Sequence, residues 1–133
     1  MTRILYIEDD PIQQAVLSQM LEIQGYEVEI ADDGLQGVEK AQSLSPDLII
    51  TDSKMPRMGG LEAIETIRNV LDMGHTPIIA LSARADDAYK KQARNAGANE
   101  VFTKPVDLRQ LTSAINTCLD DADEVTSTEE TAV

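Results

Sequence analysis

Residues 47–60 decide the fold, and they read DLIITDSKMPRMGG. The apolar run from Leu48 to Ile50 is too short for a helix and too continuous for a half-exposed strand. It therefore predicts a strand buried on both faces. Asp52 follows at the point where this strand leaves the core, and in open parallel sheets ligands collect at that end of the strands. Asp52 is thus either an ordinary turn residue or part of a site to which several strand ends contribute.

Length and composition predict one globular domain. The chain has 133 residues, of which 42% are hydrophobic and 26% are charged, both ordinary values. Its apolar runs are far shorter than the roughly 20 residues of a membrane span, and the N-terminus lacks the pattern of a signal peptide. The single cysteine, Cys118, excludes an internal disulfide and fits a reducing compartment. We therefore expect a cytoplasmic protein.

The charge is strongly acidic and partly concentrated near the C-terminus. The formal net charge is −13, and residues 120–133 carry acids but no bases. Nucleic-acid binding needs a basic patch, which this sequence lacks. The acidic, Thr- and Ser-rich composition of residues 120–133 predicts a disordered tail. The expected organisation is a domain over residues 1–119 followed by this tail.

Short apolar runs alternate with helical patterns along the chain. Strands are predicted over residues 4–7, 26–31, 48–52, 77–81 and 99–103. Helices are predicted over residues 11–24, 35–44, 61–71, 86–95 and 108–119. In the first helix the residues at helical spacing are Ile12, Ala15, Val16, Met20 and Ile23. This alternation predicts an α/β fold of three layers, a parallel sheet with helices on both faces.

Polar residues follow four of the five predicted strands. Glu8 and Asp9 end the first strand, Asp52 the third, Ser82 the fourth, and Lys104 the fifth. The ends of parallel strands share one edge of the sheet, so three carboxylates would meet there and repel one another. A divalent cation that prefers oxygen ligands, such as Mg²⁺, relieves that repulsion. With the ammonium and the hydroxyl it would form a receptor for a phosphoryl group, which is the equipment for phosphoryl transfer.

These residues and their order resemble the response-regulator receiver domain of two-component signalling. The resemblance covers about residues 2–119 and rests on short motifs near the strand ends. The motifs are Glu8-Asp9, the run DLIITD that ends at Asp52, Met55-Pro56, Ser82-Ala83 and Lys104-Pro105. The family implies a doubly wound, flavodoxin-like (βα)5 fold with strand order 2-1-3-4-5. Strands one and three would then be neighbours, with Asp9 facing Asp52.

The resemblance implies a divalent metal site, for Mg²⁺ or Mn²⁺, at the first and third strand ends. Asp9 would ligate the ion directly, and Glu8 would do so mainly through water. Asp52 and the backbone carbonyl of Lys54 would complete the protein ligands. Asp10 stands outside this set, because it is the expected N-cap of the first helix.

The resemblance also implies the chemistry. Asp52 would be the nucleophile that accepts a phosphoryl group from a histidine kinase or a phosphotransfer protein, and it would become 4-aspartylphosphate. Lys104 would pair with Asp52 or with its phosphoryl oxygens. The hydroxyl of Ser82 and the amide of Ala83 would bind the phosphoryl group. No enzymatic activity is expected beyond self-phosphorylation from a donor and autodephosphorylation.

One departure from the family pattern concerns how the signal would reach the surface. Many members have an aromatic residue three positions before the strand-five lysine, where this chain has Val101. Phe102 is the next residue, and strand alternation directs it into the core. The implied partner surface consists of helix four, strand five and helix five. No output domain follows residue 119, so we expect a stand-alone switch, monomeric or dimeric on phosphorylation, that signals through a protein–protein contact.

Two other classes of function compete with this one. The first is a binding module that keeps the fold without being phosphorylated, and the complete set of strand-end residues argues against it. The second is an enzyme of the same topology. A phosphatase with an Asp nucleophile usually has a second acid two residues later, where Lys54 stands. A flavin carrier needs a phosphate loop where Glu8 and Asp9 would repel phosphate.

Overall fold

The computed structural model describes residues 1–55, 57–84 and 86–132, with side chains as far as residue 121. The strands are β1 (Arg3–Ile7), β2 (Glu27–Ala31), β3 (Leu48–Asp52), β4 (Ile78–Ser82) and β5 (Glu100–Thr103). The helices are α1 (Pro11–Ile23), α2 (Gly34–Leu44), α3 (Gly60–Asn69), α4 (Asp87–Ala96) and α5 (Leu108–Ala132). Within the described ranges, no helix is long and apolar enough to cross a membrane.

The five strands form one parallel sheet in the order β2-β1-β3-β4-β5. In the register of this sheet, Ile7 pairs with Thr51 and Ser82 with Thr103. The carboxyl ends of the strands are therefore level at one edge, and β1 and β3 are neighbours. This confirms the predicted α/β fold, its doubly wound topology and its strand order.

The sheet is buried on both faces, as the apolar run in β3 predicts. Successive residues of each central strand enter two separate clusters, because side chains alternate along a strand. Leu5 and Ile49 lie in one cluster with the inner faces of α2, α3 and α4. Tyr6 and Ile50 lie in the other, with α1 and α5. All five residues of β3 are buried, so Asp52 is held at the end of a rigid, fully packed strand.

Aspartate side chains cap four of the helices, and at α5 Asp107 Oδ1 accepts from the amides of Arg109 and Gln110. Asp10 accepts a hydrogen bond of 3.0 Å from the amide of Ile12, which confirms it as the N-cap of α1. Asp33 and Asp86 cap α2 and α4 in the same way. Such a cap contributes about 1 kcal/mol of stability. Since Asp10 is occupied at the helix, Glu8 and Asp9 are the acids left for the sheet edge.

Helix α1 does not pack on the sheet with the face that its regularly spaced apolar residues predict. Ile12 and Ile23 are 74% and 78% exposed, and Val16 is 50% exposed. Leu17 and Leu21 instead face the core. Helical spacing correctly predicts the helix, but α1 carries two apolar stripes, and spacing alone does not say which one packs on the sheet.

The C-terminal end also differs from the predicted disordered tail. The backbone of α5 continues as helix from Leu108 to Ala132, past the predicted end at residue 119. Residues 120–132 contain neither Gly nor Pro and include several Ala and Glu residues, so nothing in their sequence stops a helix. The division into a domain over 1–119 and a tail over 120–133 remains a prediction.

Candidate functional site

Three carboxylates meet where β1 and β3 end. Glu8, Asp9 and Asp52 each place a carboxylate oxygen within 4.8 Å of the others. Glu8 is 1% exposed and Asp52 is 7% exposed, whereas Asp9 faces solvent. They converge because β1 and β3 are adjacent and in register, so the residues after Ile7 and Thr51 share one corner. The predicted convergence of these acids is confirmed.

Lys104 enters this corner from the end of β5. Its Nζ lies 2.7 Å from Asp52 Oδ1 and 2.8 Å from Glu8 Oε1, and it donates to Gln13 Oε1 at 2.6 Å. The backbone of Lys104 is fixed by its amide, which donates to the carbonyl of Ser82 at 2.7 Å. The predicted pairing of Lys104 with Asp52 is therefore present. Gln13 is an additional partner on α1.

Burial and charge act on the same groups in this corner. Burial raises the pKa of Glu8 and the charge of Asp52 raises it further, although the hydrogen bond from Lys104 acts in the opposite direction. Burial alone would lower the pKa of Lys104, but its bonds to Asp52 and Glu8 outweigh this and raise it. The Tyr6 hydroxyl donates to Glu8 Oε1 at 3.3 Å. Lys104 thus stays charged while Glu8 resists ionising.

The acids fit a divalent cation better than they fit Lys104 alone. One ammonium cannot neutralise three carboxylates, and the charge of Asp52 adds to burial in raising the pKa of Glu8. Carboxylate oxygens are the ligands that Mg²⁺ prefers, and an exposed Asp9 leaves room for the waters that this ion retains. The cluster of Glu8, Asp9 and Asp52 could therefore hold a metal ion.

Ser82, at the end of β4, is 2% exposed and already has two hydrogen-bond donors. The hydroxyl of Ser53 donates to Ser82 Oγ at 3.0 Å, and the amide of Arg84 donates to the same atom at 3.0 Å. Ser53 follows Asp52 directly, so this bond connects Ser82 to the first residue after the predicted nucleophile. Ala83, next along the chain, is exposed.

The loop after β3 depends on a glycine. The amide of Gly60 donates to the carbonyl of Ser53 at 3.0 Å, which closes the loop that contains Lys54. A Cβ atom at position 60 would lie 2.1 Å from the carbonyl oxygen of Asp52, well inside van der Waals contact. Only Gly therefore lets α3 begin this close to the strand end. Lys54 itself is exposed.

The predicted site residues therefore fall into two groups. Glu8, Asp9, Asp52 and Lys104 form one contiguous cluster. Ser82 adjoins it through Ser53, and Lys54 and Ala83 lie on the two loops beside it. Sequence reasoning missed the polar contacts of Tyr6 in the core, of Gln13 on α1 and of Ser53 in the loop after β3. The individual roles of all these residues remain predictions.

A comparison with known protein families identifies the architecture. The sequence model of the response regulator receiver domain matches residues 4–116. The chain belongs to this family. Membership confirms the resemblance to a receiver domain.

Individual relatives place the receiver domain in proteins of different length. Autoinducer 2 sensor kinase/phosphatase LuxQ of Vibrio vulnificus is 37% identical over 109 residues, which are 82% of this chain and 13% of LuxQ. Protein PilH of Pseudomonas aeruginosa is 32% identical over 119 residues, which are 90% of this chain and 98% of PilH. This receiver domain thus corresponds to a small part of LuxQ and to nearly all of PilH.

One solved structure of the same fold contains a metal ion. It is the receiver domain of the sensor histidine kinase PA1611 from Pseudomonas aeruginosa, with a magnesium ion coordinated in its active-site cleft. That domain is 32% identical to this chain and superposes with a TM-score of 0.83, covering 90% of this chain and 98% of the other. A metal ion therefore occupies the cleft of a protein with the same fold.

Proposed function

We propose that this receiver domain takes up a phosphoryl group on Asp52 from a histidine kinase or a histidine phosphotransfer protein. An Asp52 carboxylate oxygen attacks phosphorus, the bond from phosphorus to the donor's imidazole nitrogen breaks, and an acyl phosphate forms. The observation that supports this most is the position of Asp52, a carboxylate with an ammonium at 2.7 Å and two further acids beside it. Such a transfer needs positioning and charge neutralisation more than covalent chemistry.

The metal that fits this site is Mg²⁺, with Mn²⁺ as a substitute. Asp9 and Asp52 would hold it directly, Glu8 mainly through water, and the carbonyl of Lys54 would be a further ligand. When bound, the ion neutralises charge on the transferred phosphoryl oxygens and orients them toward the attacking carboxylate. The acidic cluster supports this assignment, since its three carboxylates surround a single ammonium, that of Lys104.

The protein's own groups would do the rest. Lys104 now bonds both Glu8 and Asp52, and it would shift to the phosphoryl oxygens once Asp52 is modified. The Ser82 hydroxyl and the Ala83 amide would donate to the same group. Ser82 Oγ accepts hydrogen bonds from the Ser53 hydroxyl and the Arg84 amide, so its own proton is the one it would donate to the phosphoryl group.

The output is proposed to be a protein–protein contact in the cytoplasm, made at the face of α4, β5 and α5. Lys90, Lys91 and Arg94 are exposed on α4, and their charges would attract an acidic partner. Phosphorylation would shift an existing equilibrium between two conformations, which a partner or a second copy of the chain then reads. Catalysis would be limited to self-phosphorylation and autodephosphorylation.

The test is uptake of acid-labile phosphate from a small phosphodonor such as acetyl phosphate. Wild type should be labelled in MgCl₂ but not in EDTA, and Asp52→Asn should not be labelled. Asp72→Asn is the matched control, because it removes one exposed carboxylate after α3, at the opposite end of the sheet. Wild-type labelling of Asp52→Asn would overturn the assignment of the nucleophile. A wild type that binds Mg²⁺ but takes up no phosphate would favour the binding module.

A further inference from the structure

The loop between β3 and α3 is attached to the protein at two places. At its base, the amide of Gly60 donates to the carbonyl of Ser53 at 3.0 Å. At its far side it reaches the corner between β2 and α2. There Arg57 Nε donates to Asp33 Oδ2 at 2.7 Å, and a second guanidinium nitrogen contacts the same oxygen. Lys54 lies between these two attachments.

The second attachment has several components that depend on one another. Asp33 is 3% exposed, and its other oxygen accepts from the amide of Gln36 at 2.8 Å to cap α2. That capping bond and the Arg57 guanidinium both lower the pKa of Asp33, which keeps it charged. The amide of Gly34 donates to the carbonyl of Met58 at 3.1 Å, and a Cβ at Gly34 would lie 2.2 Å from that oxygen. The two loops are therefore fitted closely together.

Arg57 adopts a backbone conformation that it would not choose by itself. Its φ is +67°, in the left-handed region, which costs a non-glycine residue roughly 1–2 kcal/mol. An ion pair whose arginine side chain is 58% exposed contributes little to overall stability. The contact of Arg57 with Asp33 is therefore better explained by its effect on the position of the loop than by its contribution to the stability of the protein.

We propose that Arg57 and Asp33 form a latch that positions the Lys54 carbonyl, which makes Arg57 a positioning residue for the divalent cation. The inference rests on the proposed function, in which that carbonyl is a metal ligand. With the latch closed, the loop is ordered before the ion arrives. With the latch open, the ion must order the loop itself, and the entropy cost of that ordering weakens its binding.

The sign of the effect separates the latch from simple electrostatics. Arg57 is a cation near an acidic metal site, so removing its charge should strengthen Mg²⁺ binding if charge alone mattered. Loss of the latch should weaken binding instead. Residues that orient metal ligands typically change affinity about 10- to 100-fold, and Arg57 acts from three residues away, so we expect about a 3- to 10-fold loss.

The experiment is a titration of the metal-free protein with MgCl₂, followed by amide chemical shifts. Arg57→Gln should raise the Kd about 3- to 10-fold, and Arg57→Lys, which keeps the charge but not the fork, should lie between Gln and wild type. Arg84→Gln is the matched control, since Arg84 pairs with an aspartate on the loop after β4, at the same sheet edge. It should leave the Kd unchanged or lower it.

A second variant separates the latch from the helix cap. Asn at position 33 can still accept from Gln36 but cannot pair with Arg57 as a charge. Asp33→Asn should therefore raise the Kd like Arg57→Gln, and the double variant should be no worse than either single one. At saturating MgCl₂ the phosphate uptake of Arg57→Gln should return to the wild-type rate.

Three outcomes would overturn the proposal. One is Arg57→Gln binding Mg²⁺ as tightly as wild type or more tightly. Another is an uptake defect of Arg57→Gln that persists at saturating MgCl₂. If wild type itself shows no saturable shift, the metal site fails and the latch fails with it. If wild type binds Mg²⁺ and Arg57→Gln has the same Kd, the latch is refuted while the metal site stands.

Discussion

Replacing Lys104 tests the electrostatics of the site most directly. Its ammonium contacts two acids of which Glu8 is 1% and the Asp52 side chain 11% exposed. Lys104→Met keeps most of the aliphatic stem but leaves two neighbouring carboxylates without a counter-charge. In the metal-free protein we expect a large loss of stability, even though Lys104 lies at the functional site and not in the hydrophobic core.

The magnitude follows from the burial of the three groups. Removing one partner of a fully buried ion pair costs about 3–5 kcal/mol. The Lys104 side chain is 18% exposed and the neighbouring Asp9 faces solvent, so water can reach part of the cluster. We therefore expect about 2–3 kcal/mol, scaled down from that range for partial solvation. In a domain of this size that corresponds to a fall in Tm of about 10 °C.

The assay is urea unfolding in excess EDTA, repeated in excess MgCl₂. A bound cation replaces the missing ammonium, so the difference between variant and wild type should shrink when Mg²⁺ is present. It should also be smaller near pH 5 than near pH 7.5, because a carboxyl can then take up a proton instead of remaining charged. Adding Asp52→Asn to Lys104→Met should recover part of the loss.

Lys90→Met is the control for losing a lysine charge, since Lys90 is exposed on α4. It should unfold within about 0.5 kcal/mol of wild type. If Lys104→Met does the same in EDTA, the reasoning from uncompensated buried charge is refuted. A loss that is equally large in EDTA and MgCl₂ would refute the link between Lys104 and the metal.

Three further predictions concern the site and its support. Gly60→Ala should lower the free energy of unfolding by about 1–3 kcal/mol and slow phosphate uptake, because its Cβ would push the backbone of Asp52. Urea unfolding and phosphate labelling measure the two effects, and an unchanged uptake rate would contradict the prediction. Because burial raises the pKa of Glu8, the folded metal-free protein keeps a proton that the unfolded chain has lost. In EDTA, the free energy of unfolding of wild type should therefore fall relative to that of Glu8→Gln as the pH rises from the ordinary glutamate pKa to the raised one. If the difference between the two free energies does not change with pH, the pKa of Glu8 is not raised. Arg68→Ala should cost about 2–3 kcal/mol, since its guanidinium donates to three backbone carbonyls before β4 and β5, yet Mg²⁺ affinity by titration should not change.

The positions of the three acids and Lys104 could be predicted from sequence because the topology of the fold brings these residues together. A short apolar run followed by a polar residue marks a strand end, and a parallel sheet brings all such ends to one edge. No side-chain geometry is needed to place Asp9 near Asp52 once β1 and β3 are neighbours. The neighbouring order itself came from the family resemblance, because alternation of strands and helices alone leaves several orders open.

What could not be predicted depends on which faces of the elements meet. Gln13 reaches Lys104 because α1 packs on the sheet through Leu17 and Leu21, and the exposed stripe that includes Ile12 gives no hint of that rotation. The pairing of Arg57 with Asp33 joins two loops distant in sequence, and the sequence Asp32-Asp33-Gly34 by itself is typical of an ordinary turn. Such contacts arise from tertiary packing, which neither periodicity nor composition encodes.

The replacement of an aromatic residue by Val101 changes where a signal can leave the site. Val101 is buried in one cluster, while Phe102 points to the other face of the sheet, so within residues 100–103 no ring lies on the Val101 side of β5. Tyr89 of α4 packs against the same cluster as Val101. Burial raises the pKa of the Tyr89 hydroxyl, and hydrogen bonding with the Ser53 and Ser82 hydroxyls acts in the opposite direction. A movement of Ser82 toward a phosphoryl group would therefore disturb α4 itself, and α4 already belongs to the proposed partner surface.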